Sequence, residues 1–394
     1  MPRPRCKLND AIGETCRKQR TNKSPYCSTK CKDRFNYLKK QNKKEVPETK
    51  QGTTARGPRY EEFCRDYASK LESKKNTQQQ IADLMGLNRT TVTKMYKAFL
   101  EDKANVEAQK NWKMSEAAKQ SLIDFKDFRD RYFKTETGDL YETADFHENW
   151  INNIVDAIEN GKQQMILSPP RHGKTDLLTH FAVWQICKNP NIRIMWVGGN
   201  EDIAKNAVGA VLDHLENNEQ LNEEINGPGE KFQPKIRSGK SWSSGQFTIG
   251  TRTVTGIKSP TMVAVGKGGK ILSRDCDLII ADDIEDHGTT IQPSAREQTR
   301  QWWTTTLSSR KEEHTAVVVI GSRQHPEDLY NFLLENPEFE TIVEEAHSSE
   351  CILPETEIEE HQDCMLWSSK RTYKWLMSQK NNADTTGGRA IYEM

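Results

Sequence analysis

Short apolar runs separated by longer helical patterns dominate the middle of the chain. "QQMILS" reads as a buried strand, and in "TDLLTHFAVWQIC" after it Leu177, Leu178, Phe181, Ala182, Trp184 and Ile186 are available for burial by one helix. A second strand, "IRIMWVGG", follows at a distance suited to a crossover helix. "EDIAKNAVGAVLDHL" is the next helix, and "RDCDLIIADDIEDH" is an apolar strand that ends in carboxylates. This βαβ alternation predicts a mainly parallel α/β sheet with helices on both faces. Nearer the N-terminus the period changes. In "NTQQQIADLMGLNRTTVTKMYKAFLED" Ile81 and Leu84 share a helix face, Gly86 permits a sharp turn, Leu87 fills the corner, and Val92 and Tyr96 recur at helical spacing. Two helices and a tight turn are expected, with Asn88 as cap of the second. Close to the C-terminus "SKRTYKWLMSQK" reads as one amphipathic helix, placed to act as a lid.

Charge changes this picture at one end. The 394 residues balance to zero formal charge, yet residues 1–60 hold 17 Lys/Arg against 5 Asp/Glu, while 327–362 is acidic. A basic end points to a polyanionic partner, double-stranded DNA if the two helices are a helix-turn-helix. Arg89, Thr90, Thr91, Thr93, Lys94 and Lys97 would then line the exposed side of the recognition helix. The apolar runs are too short for a bilayer and the N-terminus lacks a signal segment, so an intracellular protein without membrane contact is expected. In a reducing compartment cysteines are metal ligands or buried thiols. Cys6, Cys16, Cys27 and Cys31 crowd into one short basic segment that has little else for a core, and tetrahedral Zn²⁺ would supply its folding energy. Cys64, Cys187, Cys276, Cys351 and Cys364 are scattered, and are read as structural.

The loop between the first strand and its helix carries the chemistry. Ser168, Pro169, Pro170, Arg171, His172, Gly173, Lys174 and Thr175 stand where a phosphate-binding loop would, although a serine and two prolines replace its usual opening. Backbone N–H groups at the helix start can surround a phosphate, Lys174 can neutralise β/γ oxygens, and the Thr175 hydroxyl can hold Mg²⁺. Asp282, at the end of the later strand, would complete the Mg²⁺ shell, and a neighbouring acid, Asp283 or Glu285, would polarise water.

In order along the chain, "SPPRHGKTD", "SPTMVAVGKGGKILSRDCDLIIADDIED" and "SAREQTRQWWTTTLSSRKEEHTAVVVIGSRQHPEDLY" resemble motifs of the large subunit of the tailed-phage DNA-packaging terminase. The resemblance runs from about Ala144 to Tyr330, with a weaker echo at "AIYEM". It implies a P-loop ATPase that uses ATP and Mg²⁺ to move viral double-stranded DNA into the procapsid. The machine implied is a homo-oligomeric ring on the portal in the cytoplasm of the infected bacterium, with a small terminase subunit as a possible partner. By that resemblance Arg171 reaches the γ-phosphate, and Gly321, Ser322 and Arg323 couple hydrolysis to movement. Where many terminases have Glu after the metal-binding Asp, this chain has Asp283, with Glu285 two residues on. Asp283 is favoured as the base by its register, and Gln324 replaces the usual aromatic. Arg274, Arg300 and Arg310 fit surface or DNA-backbone contacts better than an arginine finger. The family's ribonuclease-H-type nuclease would lie beyond Met394, since residues 345–394 show no acid constellation for two metals.

The expected organisation is a zinc module (1–36), a basic linker (37–58), a helix-turn-helix domain (59–105), a helical linker (106–140), the P-loop ATPase (141–345), and an acidic linker and lid (346–394). The two-helix motif also resembles those of transposases and small terminase subunits. A transposition or replication ATPase, or a non-catalytic zinc and helix-turn-helix regulator, are therefore the competing classes.

Overall fold

The computed structural model describes residues 56–381 except 58, 236–237, 270 and 272–274. The four N-terminal cysteines, nearly all of the basic linker, and Arg274 lie outside the described residues. The chain divides into two compact units, 1–107 and 108–394.

In the first unit α1 (Tyr60–Asp66), α2 (Ala68–Glu72), α3 (Gln78–Met85) and the start of α4 (Arg89–Asn111) enclose Phe63, Leu71, Ile81, Ala82, Met85, Val92 and Met95. Thr77 starts α3 through a reciprocal cap. Its hydroxyl accepts from the Gln80 amide at 3.3 Å, and the Gln80 side chain accepts from the Thr77 amide at 2.8 Å. Gly86, at φ +62°, ends the helix in the left-handed conformation that a Cβ disfavours. Leu84 does not pack as its spacing suggested and is 63 % exposed. Ile81, Ala82 and Met85 cover roughly 100° of the helix, and Leu84 falls about 105° from the centre of that stripe at 100° per residue. Arg89, Thr90, Thr93, Lys94 and Lys97 are exposed on α4, whereas Thr91 is half-buried.

The second unit is a mixed α/β structure on one eight-stranded sheet. Its elements run α5 (Glu116–Ile123), α6 (Phe125–Tyr132), α7 (Asp145–Asn160), β1 (Gln163–Leu167), α8 (Lys174–Lys188), β2 (Ile194–Gly198), α9 (Glu201–Asn217) and α10 (Glu219–Asn226). Then come β3 (Trp242–Ser243), β4 (Gln246–Phe247), β5 (Met262–Gly266), β6 (Leu278–Asp282), α11 (His287–Thr290), α12 (Pro293–Trp302), β7 (Ala316–Gly321), α13 (Leu329–Leu334), β8 (Phe339–Val343) and α14 (Tyr373–Asn381). The strand order is β3-β4-β5-β2-β6-β7-β1-β8. From β5 to β8 neighbours are parallel, and the short β3 and β4 join antiparallel at one edge.

Burial on both faces explains why these strands are continuous apolar runs rather than alternating ones. Ile166, Ile194, Trp196, Ile280, Val318 and Ile320 pack into one core with α8 and α9. Their neighbours Met165, Met195, Val197, Ile279, Val317 and Val319 point into a second core with Trp302, Leu329 and Tyr330. Within the stretch read as a helical linker, 106–140, Leu122 of α5 and Phe125, Phe128 and Tyr132 of α6 pack into this unit's core. Phe125 packs edge-on against Phe181 and Trp184, and the Trp184 indole donates to the Ser121 carbonyl at 3.1 Å. At the ends of β2 and β5, Gly198 and Gly266 lie against the first turn of α9, where a Cβ would meet the Ala204 and Glu201 amides.

Candidate functional site

Parallel strands β1, β6 and β7 end side by side, so the segments that follow them share one edge of the sheet. The loop after β1 enters α8 through two left-handed residues, Arg171 at φ +63° and Gly173 at φ +75°. Arg171 bears a Cβ in a conformation L-residues rarely adopt, which marks a loop held by its surroundings. A Cβ on Gly173 would approach the His147 ring to 3.3 Å and Trp367 to 3.6 Å.

His147, on α7, is part of what holds the loop. Its Nδ1 accepts from the Ala144 amide at 3.1 Å, so the proton is on Nε2, which donates to the His172 carbonyl at 2.9 Å. Burial holds the His147 pKa down to about 4, and the ring stays neutral at ordinary pH. Nothing in the spacing of "DFHENW" signals this role.

Lys174 lies at the centre. The residue is 5 % exposed, and its ammonium donates to the Ser168 carbonyl at 3.2 Å, the Pro169 carbonyl at 3.0 Å and the Ser322 hydroxyl at 2.9 Å. Burial lowers its pKa, against the pull of Asp283 and Asp282. Next to it the Thr175 hydroxyl donates to Asp282 Oδ2 at 2.9 Å. Asp282 is 2 % exposed, and its Oδ1 is buried without a hydrogen-bond partner. Burial first, and then the neighbouring Asp283, raise its pKa to about 7. An orphaned carboxylate oxygen beside a threonine hydroxyl suits a hard divalent cation, which is the donor chemistry of Mg²⁺.

The two acids after Asp282 have different surroundings. Asp283, at φ +40°, is half-buried on the pocket wall, and its Oδ1 accepts from the Ser322 amide at 3.2 Å. Glu285 is buried elsewhere. Its carboxylate pairs with Lys267 at 3.1 Å and accepts from the Leu329 amide at 3.2 Å. Both of its oxygens are thus committed to structure, and it does not line the pocket.

Gly321, Ser322 and Arg323 follow β7 directly. The Gly321 carbonyl accepts from the Ser168 amide at 2.9 Å, and the Ser322 hydroxyl donates to the Ser168 carbonyl at 2.9 Å. A Cβ at Gly321 would overlap the Tyr330 phenol. Arg323 turns toward α13, with its Nε 3.6 Å from Asp328 and its guanidinium donating to Asn331 at 3.5 Å. Arg300 donates to the Glu327 carbonyl at 2.6 Å, and Arg310 contacts Ser309. Neither lines the pocket.

The resulting cleft, of about 360 Å³, is walled on one side by Arg171, Gly173, Lys174, Thr175, Asp176 and Asp283. Trp367, Lys370 and Arg371 wall the other side. Trp367 stands edge-on to Phe146 and His147, and its indole donates to Glu142 at 2.9 Å. Of the residues expected in the loop and the Mg²⁺ shell, Arg171, Gly173, Lys174 and Thr175 line the cleft and Asp282 lies buried behind Thr175; Lys370 and Arg371 belong to the stretch read as a lid helix, which starts only at Tyr373, and Trp367 lies outside that stretch.

No protein-family model matches the chain, and no curated protein does. Among solved structures, the HK97 bacteriophage large terminase aligns at 14 % identity with a TM-score of 0.43, covering 71 % of this chain and 53 % of that one. A Saccharomyces cerevisiae Dbp5 variant bound to Nup159, Gle1 and ADP aligns at 8 % identity with a TM-score of 0.31, covering 59 % and 53 %. The aligned part spans about half the length of each. At these values the likenesses identify neither a family nor an activity. No helix among the described residues is long and apolar enough to cross a membrane.

Proposed function

We propose that the second unit hydrolyses ATP and that the chain is the ATPase of a viral DNA-packaging motor, with its basic N-terminal region engaging double-stranded DNA. The observation that supports this reading best is the Thr175–Asp282 hydrogen bond, which joins the start of α8 to the end of β6 beside the buried Lys174. A loop lysine and a threonine hydroxyl lining one cleft, with the Asp282 carboxylate buried behind that hydroxyl and hydrogen-bonded to it, supply the groups that phosphoryl transfer needs. The order of the motifs, which resembles the terminase large subunit, favours packaging among the uses of such a core.

In this reading Lys174 exchanges its contacts to Ser168, Pro169 and Ser322 for phosphate oxygens, and Arg171 reaches the terminal phosphate. Thr175 and Asp282 hold Mg²⁺, which when bound neutralises charge on the phosphates. Asp283 orients the attacking water, and Glu285, engaged by Lys267 and α13, keeps the β6 exit in shape. Gly321, Ser322 and Arg323 transmit the change: Ser322 touches both Lys174 and the loop, and Arg323 touches α13. On the first unit, Arg89, Thr90, Thr91, Thr93, Lys94 and Lys97 contact DNA, and Cys6, Cys16, Cys27 and Cys31 bind Zn²⁺. The portal, a ring of copies and a small subunit are the partners this reading carries.

The test is ATP turnover by the full chain with and without duplex DNA. Lys174→Ala should lower it at least about 10³-fold. Asp283→Asn should leave nucleotide bound but slow hydrolysis about 10²–10⁴-fold, because a general base acts only on the way to the transition state. Normal turnover by Asp283→Asn together with loss in Glu285→Gln would reverse the assignment of the base. Normal turnover in all three variants would move the hydrolysis away from this cleft, and no turnover by the parent with or without duplex DNA would refute the ATPase.

A further inference from the structure

Cys351 and Cys364, scattered in the sequence, meet in the structure, and two histidines meet them. The stretch after β8 doubles back on itself. His347 bridges antiparallel to Met365, the Ser348 amide donates to the Cys364 carbonyl at 2.8 Å, and the Leu366 amide donates to the Ala346 carbonyl at 3.1 Å. A turn from Ser348 to Cys351, closed by a 3.1 Å hydrogen bond, returns Cys351 to the same place. His361 and Cys364 lie on a 3₁₀ turn, Glu360–Cys364, in which side chains three apart eclipse and project together. One ligand atom from each of His347, Cys351, His361 and Cys364 falls within 4.8 Å of all the others. Tetrahedral zinc with bonds of about 2.0–2.3 Å needs edges of roughly 3.3–3.8 Å, so the set is close to closing on an ion.

The tautomer is already chosen. His361 is 1 % exposed, and its Nε2 faces the Pro354 carbonyl at 3.0 Å, which fixes the proton there. Its Nδ1 lone pair therefore points inward, 2.9 Å from His347 Nε2 and 3.5 Å from Cys351 Sγ. A backbone carbonyl behind a histidine is the usual outer support of a zinc ligand. Tyr373 stacks on the His361 ring at 3.7 Å and 12°. In the structure the two sulfurs are joined as a disulfide. In this disulfide form His347 Nε2 donates to His361 Nδ1, and Cys351 Sγ lies against the same nitrogen, so the four groups already converge on one point that a metal would take over. Apolar packing here is thin, with Met365, Tyr373 and Leu376 as the buried cluster.

We propose that His347, Cys351, His361 and Cys364 form a Cys₂His₂ zinc site that holds Trp367, Lys370 and Arg371 against the phosphate cleft. Binding takes place in the dithiol state: two S–H bonds give way to two Zn–S bonds, two protons leave, and no oxidation state changes. The metal site stands apart from the ATPase reading, and only its effect on nucleotide affinity rests on that reading.

The experiment is zinc content of the full chain purified under a phosphine reductant. Because the N-terminal cysteines are a second candidate site, the measurement is a difference. Cys351→Ser and Cys364→Ser should each contain one zinc per chain less than the parent, and equal zinc in parent and variants would overturn the site. Misfolding of those variants is covered by a second protein, Cys6→Ser/Cys16→Ser/Cys27→Ser/Cys31→Ser, stripped of metal and titrated with Co²⁺. It should develop thiolate-to-cobalt and tetrahedral d–d bands at one equivalent. No bands, or recovery of the Cys351–Cys364 disulfide by peptide mapping of the zinc-loaded reduced protein, would refute the proposal. Zinc loss should also weaken a non-hydrolysable ATP analogue several-fold. If zinc leaves and affinity stays, the clamp on the cleft is wrong and the metal site remains; if the parent itself does not bind the analogue, the nucleotide reading has failed instead.

Discussion

One side of the cleft rests on β1, every residue of which is buried between β7 and β8, with an apolar core on each face of the sheet. The opposite side comes from the stretch after β8, where Met365, Tyr373 and Leu376 form the buried cluster. The first side is therefore positioned by apolar burial that the strands themselves supply, at roughly 25 cal/mol per Å² removed from water. The second has less such area, with Leu366 and Trp367 leaning on the main core, and adds polar and sulfur contacts: Trp367 to Glu142, Ser369 to Glu142, and the Cys/His group. Chemistry that demands sub-ångström placement belongs on the sheet-backed side. Closing and opening belong on the other.

That division is broken most directly at Asp282. Asp282→Asn should lower Mg²⁺-dependent turnover on the order of 10²–10³-fold, as loss of a preorganised charge contact does. It should also remove a pH dependence. The carboxyl moves from 3.8 to about 7 on folding, so between those values the folded chain keeps a proton that the unfolded chain has lost. Stability of the nucleotide-free protein should therefore fall as pH rises through that window, and Mg²⁺ should offset the fall above it. Denaturant melts at pH 5 and pH 8 give the slope, and Asp282→Asn should flatten it. An unchanged slope in the variant would place the titration elsewhere.

A smaller effect is expected at Glu285, where the sheet-backed side is held rather than used. Glu285→Gln loses the Lys267 pair but keeps an acceptor for the Leu329 amide, so the expected cost is about 1–3 kcal/mol of stability. Turnover below the melting range should stay near the parent's, and a turnover loss without a stability loss would make Glu285 the base. The smallest effect belongs to the other side of the cleft. Arg371→Ala should raise KM for ATP about two- to fivefold with kcat little changed, the scale of an exposed charge contact. A drop in kcat beyond tenfold would move Arg371 into the catalytic group and erase the contrast between the two sides.

Period and order along the chain made the sheet-backed side readable. "MILS", "IMWVGG" and "LIIADD" are continuous apolar runs because both faces are covered, and the strand–loop–helix order around Lys174 located the cleft. Burial is harder to read where a helix is short: Leu84 has the spacing to share a face with Ile81 yet lies outside, because Met85 completes the stripe. The helices at 116–132 passed for a linker because their pattern says that one face is apolar and not which core receives it. The Cys/His group was missed for a different reason. Its spacing, H-x₃-C-x₉-H-x₂-C, matches no regular metal-binding pair, and only the backbone reversal brings His347 beside Cys364. His147 had no legible signal, since its role depends on a carbonyl 25 positions away.

The strand order also sets a timetable for synthesis. β1 pairs with β7 and β8 only, and its registered partners on β8 lie roughly 180 residues later, about 10–40 s of translation at ordinary ribosomal rates. Until then an apolar strand emerges with both edges open, the state most prone to wrong pairing. The short-range helices 60–111 can form at once, but the loop after β1 has no floor until β7 and β8 have left the ribosome. A nascent chain stalled before residue 316 should therefore lack the proposed phosphate site even though every residue of its loop has already been made.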